Sequence, residues 1–199
     1  MSVGVIITRG QPIHAGHIAV IKQAIEENTK VLVILGSADK YGTTRNPFDV
    51  TFRTKLLEKA LDKLDFTYKV STMWLNDWSD DSDIPKQDNV NGVVDNPIDV
   101  SKEWGLYLYY SIVHKMNCKE FTLYYNDDTS IIDAWFPDFI RSRITVKSTE
   151  RIGNFSSGAI REAMFKNDMK YLSEALPYLS KEEIIKLRYS LVTGKKVFL

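Results

Sequence analysis

The part of the chain that most restricts its fold lies near the amino terminus, where an apolar run, a turn and an amphipathic stretch follow one another. Residues 3–7 are apolar and predict a buried strand, and the apolar positions that recur through residues 18–26 predict a helix. The turn between them, T-R-G-Q-P-I-H-A-G-H at residues 8–17, contains His14 and His17, two of the three histidines. Because a helix amino terminus carries unpaired N–H groups and a partial positive charge, this arrangement predicts a phosphate site. The alternative is a turn whose histidines only cap the helix.

The composition indicates one sizeable folded domain, with or without an appendage. Of the 199 residues, 44% are hydrophobic and the formal net charge is zero, so we expect no nucleic-acid partner and no membrane partner. The single cysteine, Cys118, cannot form a disulfide within the chain, which is usual in a reducing cytosol. Because the sequence has neither a signal-peptide core nor an apolar stretch that could span a bilayer, we expect a cytoplasmic protein. The sequence leaves open whether it forms a homo-oligomer.

Predicted strands and helices alternate along the chain. Further apolar runs predict strands at residues 31–35, 67–75, 121–125 and 144–146, and helical periodicity predicts helices at residues 52–61, 104–116, 156–165 and 181–192. The helix at 104–116 is predicted to place Leu106, Tyr109, Tyr110 and Val113 on one side. This alternation is typical of an α/β fold, a Rossmann-like parallel sheet with helices on both faces, which binds ligands beyond the carboxyl ends of its strands.

Two regions depart from the alternation. Residues 76–99 are rich in Asp and lack a sustained period, which predicts a long loop or an inserted flap. We therefore place an acidic insertion at residues 77–103 of a domain that spans residues 1–168. A solvated surface is favoured there over a metal site, because the spacing of the carboxylates fits no calcium loop. Residues 169–199 predict a C-terminal helical extension packed on that domain.

Three loops that carry basic side chains are expected to share one edge of the sheet. The first contains Arg9 beside the two histidines, and the second, residues 36–48, contains Lys40 and Arg45. The third, residues 151–161, combines two serines at a helix start with Arg161 about one turn inside. Taken singly, the second is also typical of an ordinary turn and the third of an ordinary helix cap. Together they predict a polyphosphate site, since arginine suits phosphate oxygens.

The motifs that are missing narrow the chemistry. The sequence has no G-x-x-x-x-G-K-[ST] loop, no G-x-G-x-x-G pattern after the first strand, no Cys/His cluster typical of zinc sites, and no evident activated serine or cysteine. What remains is a set of imidazoles, guanidiniums and N–H donors. Such a set favours direct phosphoryl or nucleotidyl transfer, in which positioning and charge stabilisation carry the catalysis.

Two of these segments resemble a known motif pair. H-A-G-H at residues 14–17 and F-S-S-G-A-I-R at residues 155–161 resemble the HxGH and ISSTxxR motifs of the nucleotidylyltransferase superfamily. More narrowly, residues 9–17, the G-S-A at 36–38, the R-N-P-F at 45–48 and Arg53 resemble nicotinamide mononucleotide (NMN) adenylyltransferases of the archaeal type, which also occur fused to Nudix domains. Residues 74–78 resemble the segment that helps to build the nicotinamide pocket. The resemblance spans residues 1–165, so we interpret residues 1–168 as a nucleotidyltransferase domain.

The resemblance implies transfer of AMP from ATP to NMN, giving NAD and pyrophosphate, with Mg²⁺ held mainly by substrate phosphates and by no metal site of the protein. The mononucleotide phosphate would attack the α-phosphorus in line. The catalytic residues implied are His14, His17 and Arg161. The residues implied for ATP are Arg9, Gln11, Gly16, Ser156, Ser157 and Arg161, and those for the mononucleotide are Gly36, Ser37, Arg45, Asn46, Phe48, Arg53, Asp77, Trp78 and Trp104.

Three positions depart from the family pattern. Thr8 stands where the family usually has glycine, Gly10 where it has a bulky apolar residue, and Gly158 replaces the threonine of ISSTxxR. Two alternatives stay open: an adenylyltransferase for another phosphate acceptor, such as flavin mononucleotide or phosphopantetheine, and a module that senses ATP or NAD without turnover. Trp104 is as well suited to the core as to the pocket. We also hypothesise that the acidic insertion closes over the mononucleotide site.

Overall fold

A computed structural model describes residues 2–77, 98–125, 130–149 and 153–195. In this part of the chain five parallel strands form one sheet in the order β3-β2-β1-β4-β5. The strands are β1 Val3–Thr8, β2 Lys30–Leu35, β3 Val70–Trp74, β4 Phe121–Tyr125 and β5 Ile144–Ser148. The helices are α1 Ala15–Glu27, α2 Val50–Lys63, α3 Ile98–Met116, α4 Ser130–Trp135, α5 Asp138–Arg141, α6 Ser157–Lys166, α7 Met169–Ala175 and α8 Lys181–Thr193. The predicted α/β class, with a Rossmann-like parallel sheet, is confirmed.

Helices cover both faces of the sheet because its central strands are apolar on both sides. In β2, Val31, Val33 and Leu35 face one core, whereas Leu32 and Ile34 face the other. The first core is completed by α1, α2, α6, α7 and α8, and the second by α3, α4 and α5. Both faces are thus withdrawn from water, which leaves the strand ends as the edges at which a ligand can reach the backbone.

The helix α3 differs from its prediction in two ways. It begins at Ile98, six residues before the predicted start, so the part of the predicted insertion at residues 98–103 is helical. Its buried face is formed by Leu108, Tyr109, Ile112 and Met116, whereas Tyr110 is 58% exposed. The apolar periodicity could not choose between these faces because both sides of the helix carry large apolar residues. Residues 78–97, which hold most of the predicted flap, lie outside the described residues.

Three short helices were not predicted from the sequence. α4, α5 and α7 have four to seven residues each, too few for a sustained 3.6-residue period. β3 begins at Val70 rather than at residue 67, because residues 67–69 complete a turn in which the Lys69 N–H donates to the Phe66 carbonyl. Both differences concern the edges of the fold and leave the strand order unaffected.

The C-terminal helices pack on the same core as α1 and α6. Leu172, Leu176, Ile184 and Leu187 are buried there. The buried Tyr178 hydroxyl donates to the Ile13 carbonyl at 2.9 Å, which ties this region to the turn that precedes α1. The division of the chain into residues 1–168 and 169–199 stays a prediction. Among the described helices, none combines the length and the apolarity that a membrane span requires.

Candidate functional site

Three loops lie at the carboxyl edge of the sheet. The first follows β1 at residues 9–14, the second follows β2 at residues 36–49, and the third precedes α6 at residues 153–156. β1 and β4 are neighbours at the centre, and the chain continues from them into opposite halves of the sheet. The first loop therefore opens at the switch point of the strand order, the position at which open α/β sheets bind ligands. Residues 126–129, which follow β4, lie outside the described residues.

The two histidines form a reciprocal cap at the start of α1. His14 is the N-cap residue, and its Nδ1 accepts a hydrogen bond from the Gly16 N–H at 3.2 Å. His17, three residues later, accepts at Nδ1 from the His14 N–H at 3.3 Å. The ring centroids lie 3.8 Å apart. The histidines therefore do cap the helix, but capping uses Nδ1 of each ring and leaves each Nε2 for another partner.

The cap also determines which nitrogen of each ring carries the proton. Because Nδ1 accepts a hydrogen bond in both His14 and His17, each neutral imidazole is protonated at Nε2. His17 uses this group to donate to Thr8 Oγ1 at 2.7 Å. Burial lowers the pKa of His14 to about 4, and burial together with the neighbouring His14 holds the pKa of His17 well below its ordinary value of 6.5. Both rings are thus neutral Nε2–H donors near neutral pH.

The low pKa of His14 predicts a pH-dependent stability. The unfolded chain protonates this ring below about pH 6.5, whereas the folded protein does so only near pH 4, so the free energy of unfolding falls as the pH drops through this interval. We expect a loss of about 2–3 kcal/mol from this residue, measured by urea unfolding at about pH 7.5 and about pH 4.5. The control is His14→Asn, which keeps a capping side chain that does not titrate. A stability difference between the two proteins that is the same at both pH values would contradict the prediction.

Glycines make room for this arrangement at two positions. A Cβ at Gly16 would lie 3.1 Å from both Nδ1 and Cε1 of His14, so a side chain there would push the capping ring away. Gly10 has a φ of +57°, and a Cβ there would lie 2.9 Å from Ile13 Cδ1. Ile13 thus fills the space beside position 10, so in this chain a side chain at position 10 would displace Ile13.

Arg53 joins the first loop to the second. Its side chain is fully buried, and its guanidinium donates to the carbonyls of Arg9 at 2.7 Å, Gly36 at 2.8 Å and Ser37 at 2.9 Å. One planar cation thereby bonds three loop carbonyls just beyond the ends of β1 and β2, of which that of Ser37 also accepts from the Lys40 N–H at 3.2 Å. The structure places Arg53 as a support beneath the two loops, and its predicted contact with the mononucleotide stays a prediction.

A second link between these loops runs through Gln11. Its side-chain amide donates to the Phe48 carbonyl at 2.9 Å and accepts from the Phe48 N–H at 3.0 Å. The amide thus pairs with both backbone groups of Phe48, as a residue of a neighbouring strand does. Asn46, two residues earlier, is 6% exposed, and its Oδ1 has no hydrogen-bond partner within the described part of the chain. Gln11 and Phe48 therefore fix the loops, while Asn46 presents a buried acceptor beside them.

The first turns of α6, which follow the third loop, contact the first loop through Arg161 and Ser157. Arg161 Nη1 donates to the Gln11 carbonyl at 2.8 Å, and Ser157 Oγ donates to the Pro12 carbonyl at 3.3 Å. Ser156 caps α6 by accepting from the Ala159 N–H at 3.1 Å. The amino termini of α1 and α6 thus meet, and their partial positive charges add at one place.

Three arginines lie near enough to this meeting point for the charges of two of them to act on the third. The pKa of Arg161 is lowered first by burial and then by the positive charges of Arg9 and Arg45, so each of the three loops contributes one cation. Repulsion between like charges raises the free energy of the folded protein, and a polyanion bound between these charges would remove the repulsion. The predicted convergence of the three basic loops is therefore present in the geometry, and the ligand contacts of these residues stay predictions.

The second loop also carries an ion pair. Asp77 accepts from Ser37 Oγ at 3.1 Å and pairs with Lys40 at 2.9 Å, and its backbone N–H donates to Asp39 at 2.9 Å. Ser37 itself has a φ of 49°. The end of β3 is thereby joined to the end of β2, and a carboxylate lies beside the first two loops, on the side predicted for the mononucleotide.

The two tryptophans predicted for the nicotinamide side differ in outcome. Trp104 is half-buried against the second core, with its ring centroid 4.6 Å from that of Trp135. This packing matches the core alternative for Trp104, and its pocket role stays a prediction. Trp78 lies outside the described residues.

Thr8 is a residue that the site prediction did not include. It was noticed only as a departure from glycine, yet its hydroxyl contacts His17 directly. The signal available in the sequence was a hydroxyl residue at the last position of the strand that leads into the turn.

No protein metal site accompanies these groups. Within residues 2–77, 98–125, 130–149 and 153–195, no three His, Cys, Asp or Glu side chains lie close enough together to hold a metal ion. The donors that converge are cationic or neutral N–H groups, which bind anions rather than cations.

Curated proteins match part of this chain in sequence. Nicotinamide-nucleotide adenylyltransferase from Methanococcus aeolicus is 38% identical over 65 residues, which cover 33% of this chain and 38% of that protein. The enzyme of the same name from Thermococcus sibiricus is 37% identical over 60 residues, 30% of this chain and 32% of that protein. The chain thus matches about a third of the length of each of these relatives.

Solved structures share the fold at low sequence identity. A bifunctional NMN adenylyltransferase/ADP ribose pyrophosphatase from Francisella tularensis superimposes with a TM-score of 0.69 at 16% identity, covering 96% of this chain and 52% of that one. A protein from Vibrio parahaemolyticus, described as a nicotinate-nucleotide adenylyltransferase, gives 0.60 at 17% identity and covers 93% of this chain and 99% of that one. The cytidylyltransferase-like family model matches residues 8–163, which hold all three loops. The chain therefore belongs to the cytidylyltransferase-like family.

Proposed function

We propose that the protein is an NMN adenylyltransferase, which transfers AMP from ATP to nicotinamide mononucleotide and releases pyrophosphate. The observation that carries the proposal is the convergence of two neutral imidazoles and three guanidiniums from three loops at the switch point of the sheet. The curated archaeal relatives that carry this activity in their names support the choice of reaction.

The proposal gives each group a task in the transfer. A phosphate oxygen of the mononucleotide forms a bond to the α-phosphorus of ATP while the bond from that phosphorus to the bridging oxygen breaks, and pyrophosphate leaves with the electron pair. His14 stabilises charge on the transferred phosphate as an N–H donor, and His17 acts from the adjacent ring, whose own N–H donates to Thr8. Arg161 and Ser156, at the start of α6, hold the negatively charged β- and γ-phosphates, and Arg9 and Arg45 orient the phosphates at the reacting centre.

The acceptor is proposed to lie over the ends of β2 and β3. Ser37, Asp77 and Lys40 form a connected polar surface there, and the buried Asn46 supplies an acceptor without a partner in the described structure. Because Lys40 neutralises the Asp77 carboxylate, this surface offers paired donors and acceptors without net charge, which fits the carboxamide of nicotinamide.

A magnesium ion fits this proposal as a companion of ATP. The converging side chains are cationic or neutral donors, so phosphate oxygens and water are the ligands that the site leaves to the ion. When bound, it would neutralise part of the charge on the phosphates. One structural neighbour, from Francisella tularensis, is described as a complex with AMP and a manganese ion.

The proposal is tested by an acceptor assay. Purified protein is mixed with magnesium, ATP and, in separate reactions, nicotinamide mononucleotide, nicotinate mononucleotide, flavin mononucleotide and phosphopantetheine, and the products are separated by chromatography. We expect NAD as the main product. A preference for another acceptor would replace the substrate assignment, and ATP binding without any dinucleotide would favour the sensing alternative over the enzyme.

Gly158 offers a test of the phosphate side by gain of function. It is the second residue of α6 and exposed, and a Cβ there would meet only Ser156 Oγ, at 3.8 Å. Gly158→Thr is therefore expected to fit and to add a hydroxyl donor, lowering the KM for ATP about threefold or more. Gly158→Ala is the matched control, because it gains helix propensity without a hydroxyl. An equal KM in the two variants would place this position outside the phosphate site.

A further inference from the structure

The Thr8 hydroxyl makes two hydrogen bonds at the edge of the site. Its Oγ1 lies 2.7 Å from His17 Nε2 and accepts from the Gly10 N–H at 3.1 Å. The residue ends β1, and its side chain is half-buried, between the first loop and the start of α1. The hydroxyl thus connects the strand, the loop and the helix that together form the phosphate site.

The direction of these bonds follows from the cap of α1. Since His17 Nδ1 accepts from the His14 N–H, the neutral ring carries its proton on Nε2 and donates it to Thr8. Thr8 Oγ1 then accepts two hydrogen bonds, from His17 and from Gly10. A hydroxyl has two acceptor lone pairs and one donor hydrogen, so the group that Thr8 has left is its O–H donor.

Hydrogen bonds that follow one another in a chain polarise each other. Here the sequence runs from the His14 N–H through the His17 ring to the Thr8 hydroxyl. Each link withdraws electron density from the next oxygen or nitrogen, so the terminal O–H is a stronger donor than an isolated threonine hydroxyl. The Thr8 hydroxyl lies at the end of β1, beside the first turn of α1. A phosphate that binds the amino terminus of α1 would lie next to this donor.

We propose that the Thr8 hydroxyl donates directly to the transferred α-phosphate and that His17 acts on this phosphate through it. The inference rests on the proposed function and names a residue outside the two family motifs. No proton changes place: the Thr8 hydrogen stays on Oγ1 as a hydrogen bond to the non-bridging oxygen while the mononucleotide oxygen bonds to phosphorus and pyrophosphate leaves. Thr8 would then share with His14 the stabilisation of the developing charge.

The test compares three variants of this one side chain. Thr8→Val keeps the shape and removes the hydroxyl, Thr8→Ala removes the hydroxyl without leaving a methyl group against His17, and Thr8→Ser keeps the hydroxyl. We expect kcat for NAD formation to fall about tenfold or more in the Val and Ala variants, with the KM for the mononucleotide within about twofold, and to be largely retained in the Ser variant. The matched control is Thr122→Val, the same change on β4 at the level of Gly4 in β1.

A spectroscopic measurement separates this role from a structural one. In the wild-type protein labelled with ¹⁵N-histidine, the ring signals of His17 should show the Nε2–H tautomer, and adding a non-hydrolysable ATP analogue should leave that tautomer in place. In Thr8→Val the Nε2–H signal should shift, because its acceptor is gone. An Nδ1–H tautomer in the wild-type protein would overturn the proposal.

The kinetic outcomes also decide. Val and Ala variants that keep kcat within about twofold of wild type would show that the hydroxyl is not used, and a Ser variant as slow as the Val variant would show that only shape matters. If the wild-type protein makes no dinucleotide from any acceptor, the proposed function fails. In that case the affinity of wild type and of Thr8→Val for inorganic triphosphate is measured by calorimetry. Equal affinities would overturn the role of the Thr8 hydroxyl.

Discussion

Replacing His17 with alanine is expected to lower kcat for NAD formation about a hundredfold or more, the usual cost of removing a donor that stabilises charge in the transition state. The ring is half-buried, tilted against that of His14 with centroids 3.8 Å apart, and held as a neutral Nε2–H donor toward Thr8. Its loss removes the link between the helix cap and the phosphate site. The measurement is steady-state kinetics with ATP and nicotinamide mononucleotide, with the free energy of unfolding determined for each variant.

Two further variants separate catalysis from folding. His17→Gln keeps a side chain that can close the reciprocal cap of α1, since glutamine is one of the residues that natural capping boxes use at this position. We expect it to restore the stability that His17→Ala loses, about 1 kcal/mol, while kcat remains low. His114→Ala, at the exposed third histidine in the last turn of α3, should match wild type. Full activity in His17→Gln would mean that the cap, and not the imidazole, is what the site needs.

The fold could be predicted from the sequence because each central element is strongly periodic. The buried runs that became β1, β2 and β4 are short and continuous, and α1, α2 and α8 show clear apolar faces. A parallel sheet with crossover helices follows from that alternation. The start of α3 could not be predicted, because its first apolar residues, Ile98 and Val100, are two positions apart, a spacing that does not fit the helical period.

The position of the site could be predicted from the sequence, but the hydrogen bonds within it could not. The spacing of the histidines and the serines at the start of α6 indicated two helix termini at one edge, and the structure brings them together through Arg161 and Ser157. The sequence could not show that the side chains of Gln11 and Arg53 bind backbone groups of the loops. These hydrogen bonds join residues 37 positions apart for Gln11 and 44 positions apart for Arg53. Nor could it show the bond from His17 to Thr8, which depends on the ring orientation that the cap sets.

Replacing Arg161 with methionine is expected to lower kcat/KM for ATP about a hundredfold or more while leaving the protein at least as stable as wild type. The guanidinium is partly buried and faces the positive charges of Arg9 and Arg45, so the folded chain carries it at a cost. Methionine keeps the length of the side chain and removes that repulsion, at the loss of one hydrogen bond to the Gln11 carbonyl. A residue that weakens the fold is explained by function, as stability and activity are commonly traded in binding sites.

The control for this substitution is Arg188→Met. Arg188 is half-buried on α8 and likewise donates to one carbonyl, that of Met164, at 2.7 Å, but this bond joins α8 to α6 rather than α6 to the first loop. We expect Arg188→Met to lose stability and to keep its activity, the opposite of Arg161→Met. Thermal unfolding with added inorganic triphosphate completes the comparison: the anion should stabilise wild type and Arg188→Met but hardly affect Arg161→Met. If the anion stabilises Arg161→Met as much as wild type, the three guanidiniums do not form the phosphate site, since removing Arg161 would then leave anion binding unchanged.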